Sequence, residues 1–153
     1  MNKTSKYCPP KTGVFAALMA ESSTTITTAD TYESIAGSFS NTPMYNFSLI
    51  SGPAIQCDCN IKKYYEIDWH ATIAGDSNGM TVHIGIKKNG TLVDSSVMCT
   101  YLKTADEAQA LSGTCVIELE DGDNIQLVCT SDDDGDIITV SHFTTTIRTF
   151  FEE

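Results

Sequence analysis

The clearest pattern in the chain runs from Tyr64 to Ile73, where Tyr65, Ile67, Trp69, Ala71 and Ile73 alternate with Tyr64, Glu66, Asp68, His70 and Thr72. Side chains of a strand point to opposite faces in turn, so a period of two predicts a strand with one face on a core and one in water. Met80, Val82, Ile84 and Ile86 repeat the alternation against Thr81, His83, Gly85 and Lys87. Asn89-Gly90 follows, the residue pair best suited to the two positive φ angles of a type I′ turn, and Thr91 to Met98 returns as the hairpin partner. Further on, Cys115, Ile117 and Leu119 alternate inward, Glu120-Asp121-Gly122-Asp123 turns the chain, and Ile125, Leu127 and Cys129 form the next strand.

Two stretches break the pattern. Thr104 to Leu111 predicts a helix of at most two turns, with Thr104 and Glu107 placed as a capping box. The final strand, Ile137 to Phe151, does not hold one phase: Ile138 and Val140 point one way, Phe143, Ile147 and Phe151 the other. Either a β-bulge near Ser141 restores a single phase, or both faces are covered and apolar side chains need a partner. Tyr64, opposite the Tyr65 face, argues the same way.

Composition agrees with an all-β chain. Twenty threonines, valine, isoleucine and aromatics favour extended structure, and strong helix formers are sparse. A chain of 153 residues fits one domain with one core, read as a flexible arm over 1–13 and a single domain over 14–153. Lys3, Lys6 and Lys11 before the apolar run Val14 to Ala20 resemble the start of a signal peptide; Pro9-Pro10 precede the run, and the first β-strand is the reading preferred. The run is far shorter than a membrane-spanning helix of roughly 20 residues. A net charge of −11, with 9 basic residues in no cluster, argues against nucleic-acid and anionic-lipid partners.

The search for chemistry is largely negative. No nucleophile elbow, zinc-protease motif or phosphate loop occurs, so no catalytic residue and no cofactor is assigned. His70 and His83 fall on polar strand faces, and His142 lies in the ambiguous last strand. Asp132, Asp133, Asp134 and Asp136 offer hard oxygen ligands, but glycine stands fourth and no glutamate closes the loop as in an EF-hand; it is read as a solvated turn, with no metal assigned. The six cysteines, at 8, 57, 59, 99, 115 and 129, include no CxxC pair, and Cys57-x-Cys59 puts two sulfurs on one strand face. They are read as mostly buried, reduced thiols. The sequons at Asn2, Asn46 and Asn89 arise readily in a Thr-rich chain, and the turn already accounts for Asn89.

Eight or so strands with short turns point to a sandwich or jelly roll. From Tyr64 onward the chain resembles the C1q/TNF-like jelly roll, a fold also used by trimeric phage virion proteins. The carrying residues are Tyr64-Tyr65-Glu66-Ile67-Asp68-Trp69, Ile86-Lys87-Lys88-Asn89-Gly90, Leu111-Ser112-Gly113, the strand–Gly-Asp–strand element Leu119 to Leu127, and Phe143, Ile147 and Phe150. Lys63 and Thr144 depart from the pattern, standing where glycine or a small residue is usual. The resemblance implies an antiparallel all-β homotrimer that binds and assembles without catalysis. With the acidic charge it leads to a virion structural protein assembled in the host cytoplasm, a capsid decoration or head-fibre trimer whose partner is the major capsid protein or another virion protein. The alternatives are a receptor-binding tip of a tail fibre or spike and a secreted C1q/TNF-like module.

Overall fold

The computed structural model describes residues 13–40 and 44–150. Among the described residues twelve strands occur in chain order: β1 (Gly13–Ala17), β2 (Ser22–Thr25), β3 (Glu33–Ser34), β4 (Met44–Tyr45), β5 (Phe47–Ile50), β6 (Ala54–Cys57), β7 (Lys63–Gly75), β8 (Met80–Lys88), β9 (Thr91–Leu102), β10 (Gln109–Leu119), β11 (Asn124–Ser131) and β12 (Ile137–Thr149). They form two antiparallel sheets of six. Sheet I runs β10-β7-β12-β1-β4, with β2 also paired to β12; sheet II runs β5-β6-β11-β8-β9, with β3 also paired to β11. Among the described residues no helix is long and apolar enough to cross a membrane.

One core lies between the sheets. The inward positions of β7, namely Tyr65, Ile67, Trp69, Ala71 and Ile73, are all buried, while Tyr64 and His70 are exposed, as the alternation requires. Trp69 stacks on Phe143, with ring centroids 5.8 Å apart and planes at 17°, and Tyr65 meets Phe47 edge-on at 5.3 Å. At burial of this extent each large side chain contributes roughly 1.5–3 kcal/mol to folding.

The β8–β9 hairpin forms as its sequence dictates, with φ of 50° at Asn89 and 85° at Gly90. The apolar run at the start of the chain becomes β1, paired to β12 from Gly13↔Arg148 to Ala17↔Thr144. Gly13, assigned to the arm, is therefore a strand residue; the rest of the arm and Phe151 lie outside the described residues.

One expectation requires correction, and one open alternative is decided. Thr104 to Leu111 is not a helix. Ala105 N donates to Asn78 Oδ1 at 2.7 Å and Asp106 N to Gly75 O at 2.8 Å, and Asp106 turns through a φ of 63°. From Gln109 onward the chain is β10, paired with Ile73, Thr72 and Ala71 of β7. The cap-like residues form a tight turn because a neighbouring loop and an open strand edge supply better partners than a two-turn helix. The phase break in the last strand is a β-bulge: the β12–β7 register shifts between Val140 and His142, and Ile138, Val140, Phe143 and Ile147 all face the core. The break therefore gives no argument for a partner. The expected eight or so strands become twelve among the described residues because five short strands, β2 to β6, of two to four residues each, flank the long ones.

Candidate functional site

With no catalytic motif, the surfaces that the sheets present are the place to look for function. On the outer face of sheet I, pairing places side chains in rows. One row reads Val116, Glu66, Arg148, Gly13, Tyr45 across β10, β7, β12, β1 and β4; the next reads Thr114, Asp68, Thr146, Phe15, and the third Ser112, His70, Thr144, Ala17. Apolar side chains occupy both margins. Val116 is 40% exposed on the β10 side, and Tyr45 and Phe15 are 54% and 47% exposed on the β1–β4 side. Tyr64 and Phe150 extend this band at one end, joined by Phe150 N donating to Tyr64 O at 2.9 Å. Between the margins Arg148 bridges two carboxylates, Nε to Glu66 Oε1 at 3.0 Å and Nη2 to Asp68 Oδ2 at 3.3 Å.

At the other end of this face the bulge opens a shallow cavity of about 290 Å³ lined by His70, Thr72, Leu111, Ser112, His142 and Thr144, among others. Two of the three histidines thus share one depression, whereas His83 lies on β8 in sheet II. A bulge pushes His142 onto the same face as His70, a convergence that a strict period of two does not predict. No side-chain hydrogen bond of a histidine occurs among the described residues.

The strand–Gly-Asp–strand element carries a connected polar cluster. Asp123 Oδ1 accepts from Asn89 Nδ2 at 2.9 Å, its Oδ2 accepts from Glu120 N at 2.9 Å and lies 3.6 Å from Lys88 Nζ, and Asn89 Oδ1 accepts from Asn124 N at 2.9 Å. Partial burial pushes the Asp123 carboxyl up, but the bonds from Asn89 and Glu120 N and the charge of Lys88 outweigh it and hold the group below its usual range. Asn89 is thus a turn residue and a clamp between two hairpin ends. This role is structural.

The acidic loop between β11 and β12 is only partly as expected. Asp132, Asp133 and Asp134 are exposed; Asp136 is buried, 8% exposed. Gly135, at a φ of 84°, turns the chain so that Gly135 N donates to Ile26 O and Ile26 N to Asp136 O, which draws Asp136 beneath the loop. Burial raises its carboxyl above the ordinary range; a hydroxyl bond from Ser131 opposes this, and Asp133, Asp76 and Asp132 add to it.

Of the cysteines, Cys57, Cys59, Cys115 and Cys129 are buried and Cys99 is exposed; all five are free, and Cys8 lies outside the described residues. β6 ends at Cys57, so Cys59 follows the strand and does not share it. Burial pushes the Cys115 thiol up to about 11, with Asp68 adding to it, and the Cys129 thiol up to about 12.

Two six-stranded antiparallel sheets in this order define a TNF/C1q jelly roll. The chain is similar in structure to Eiger TNF from S. frugiperda, with a TM-score of 0.60 and 9% identity over 95% of this chain and 96% of that one. Murine APRIL at pH 8.0 aligns with a TM-score of 0.54 and 9% identity over 89% of this chain and 98% of that one. The globular domain of zebrafish complement 1qA aligns with a TM-score of 0.51 and 13% identity over 94% and 100%. No protein-family model matches the chain, and no curated protein matches it in sequence.

Proposed function

We propose that this chain is a non-enzymatic binding module that closes into a homotrimer through the outer face of sheet I and serves on a virus particle as a capsid decoration or head-fibre protein. The observation that carries the assembly is the placement of Val116 on one margin of that face and of Tyr45 on the other. A three-fold ring is built from heterologous contacts, in which one patch of each copy meets a different patch of the next, so two apolar margins on one face suit it. A large exposed apolar area is otherwise a cost in water.

Two features support the virion reading. The charge of −11 keeps many copies soluble and apart from nucleic acid. Five unpaired cysteines suit assembly in a reducing cytoplasm better than secretion. The partner under this reading is the major capsid protein or another virion protein. Size exclusion with light scattering tests the assembly, with a mass near 50 kDa expected from three chains of 16.6 kDa. Electron microscopy of purified particles with and without the protein tests the location. Density over the capsid lattice is expected; density at a tail tip would replace the decoration reading with the receptor-binding one, and its absence from particles would remove both.

A further inference from the structure

We infer that the β11–β12 loop is a calcium site formed by Asp132, Asp133 and Asp136. One carboxylate oxygen of each lies within 4.8 Å of the others, which brings three negative charges to one point. Exposed carboxylates gather on many surfaces without consequence, but this cluster has a buried member. Asp136 is more than nine-tenths buried, and its Oδ2 is shut off from solvent with no hydrogen-bond partner among the described residues. A buried carboxylate oxygen without a donor is costly to fold around, and the usual remedy is a proton, a donor or a cation. Besides the Ser131 hydroxyl, the charged groups around this carboxyl are other carboxylates, which make a cation an effective remedy.

The surroundings hold the loop in place without filling the site. Asp132 Oδ1 accepts from Thr81 N at 3.2 Å at the start of β8, and Asp134 Oδ1 accepts from Ala29 N at 2.6 Å. Asp76, in the β7–β8 loop, is tied by Ile137 N to its Oδ1 at 3.0 Å and adds a fourth negative charge nearby. None of the ion pairs among the described residues reaches this loop. Calcium suits the arrangement better than magnesium. It accepts six to eight oxygens in flexible geometry, so three carboxylates and water can complete its shell, whereas magnesium demands a near-ideal octahedron.

The test uses the full chain after treatment with a chelator. Titration calorimetry with calcium chloride should show saturable binding of one ion per chain, with a Kd of about 0.1 mM, in the range of weak exposed calcium sites. Asp132→Asn and Asp133→Asn alter exposed side chains and should each weaken binding at least about tenfold, while Asp121→Asn, in the β10–β11 turn, should leave it unchanged. Calcium at 100 times Kd should raise the melting temperature by about 5 °C. Asp136→Asn should remove that rise while raising the melting temperature of the calcium-free protein, because it relieves the repulsion. The inference is overturned if no saturable heat appears by about 10 mM calcium, the weak limit of such sites. It is equally overturned if Asp133→Asn binds as well as the parent, or if magnesium competes at equal concentration. The outcome is independent of whether the chain forms trimers.

Discussion

At the scale of single residues, burial and charge decide which groups can react. Burial keeps alkylating reagents from Cys57, Cys59, Cys115 and Cys129, and for Cys57, Cys115 and Cys129 it also disfavours the reactive thiolate, so these four should resist alkylation in the native protein while the exposed Cys99 reacts. Mass spectrometry after iodoacetamide, native and then denatured, reads this directly; an untreated intact mass about six daltons below the all-thiol value would mean three disulfides and overturn it. The same thiols set an alkaline limit. Their folded pKa values, about 11 for Cys115 and about 12 for Cys129, lie above the unfolded value of 9.0, so the folded state holds the proton more tightly. Their contribution is complete below pH 9.0 and is lost as pH rises toward 11 to 12. Denaturant midpoints should fall across that window, and less steeply in Cys129→Ser. Asp123 acts at the other end. Its folded pKa lies below the unfolded 3.8, so its contribution is present above that value and is lost as pH falls through it. Asp123→Asn should flatten the acid limb of the stability curve, and Asn89→Ala should cost about 1–3 kcal/mol by leaving Asp123 and Asn124 N without their partner.

At the scale of elements, the long strands were legible because a period of two over nine or more residues leaves little choice of face, as β7 and β8 demonstrate. The short strands were not. Ser22–Thr25 is polar, and Met44–Tyr45 is too brief to show a period; each is a strand because a neighbour, β12 for the first and β1 for the second, offers an open edge. Thr104 to Leu111 failed for the same reason, since local capping chemistry competed with partners distant in sequence. The Ser112-Gly113 segment shows what sequence alone could not weigh. Gly113 pairs with Trp69 on the inner side of β10, and a Cβ there would stand 2.6 Å from the indole and 2.8 Å from Met98. Trp69 is fully buried and stacked on Phe143, so its ring has little room to move aside. Gly113→Ala should therefore cost about 1–3 kcal/mol by overpacking, while Ser112→Ala on the outer face should change stability by less than about 0.5 kcal/mol. Thermal melts of both variants decide it; equal melting temperatures would show that β10 shifts to absorb the methyl.

At the scale of the whole molecule, the acidic loop and the apolar margins lie on surfaces that a sequence cannot join. Asp136 could be read only as one more loop aspartate until pairing at Ile26 drew it inward. The outer face of sheet I likewise emerges only when β10, β7, β12, β1 and β4 are laid side by side. A phase break in β12 offered the first reason to expect self-association, and the bulge at Ser141 removes it. The remaining argument is the two margins, and it makes a directional claim. In a closed three-fold ring the Val116 side of each copy meets the Tyr45 side of the next, so damage to either margin breaks every contact in the ring. Val116→Glu and Tyr45→Glu each place a charge on an exposed position outside the core, so the monomer fold should survive, as far-ultraviolet circular dichroism would show. Light scattering should then fall from near 50 kDa to the single-chain 16.6 kDa in both variants. A two-fold dimer would make a different prediction, because an isologous contact can centre on one margin and leave the other idle. Loss of assembly in one variant alone would therefore replace the ring with a dimer, and a parent protein that runs as a monomer at micromolar concentration would remove the assembly and with it the case for a lattice decoration.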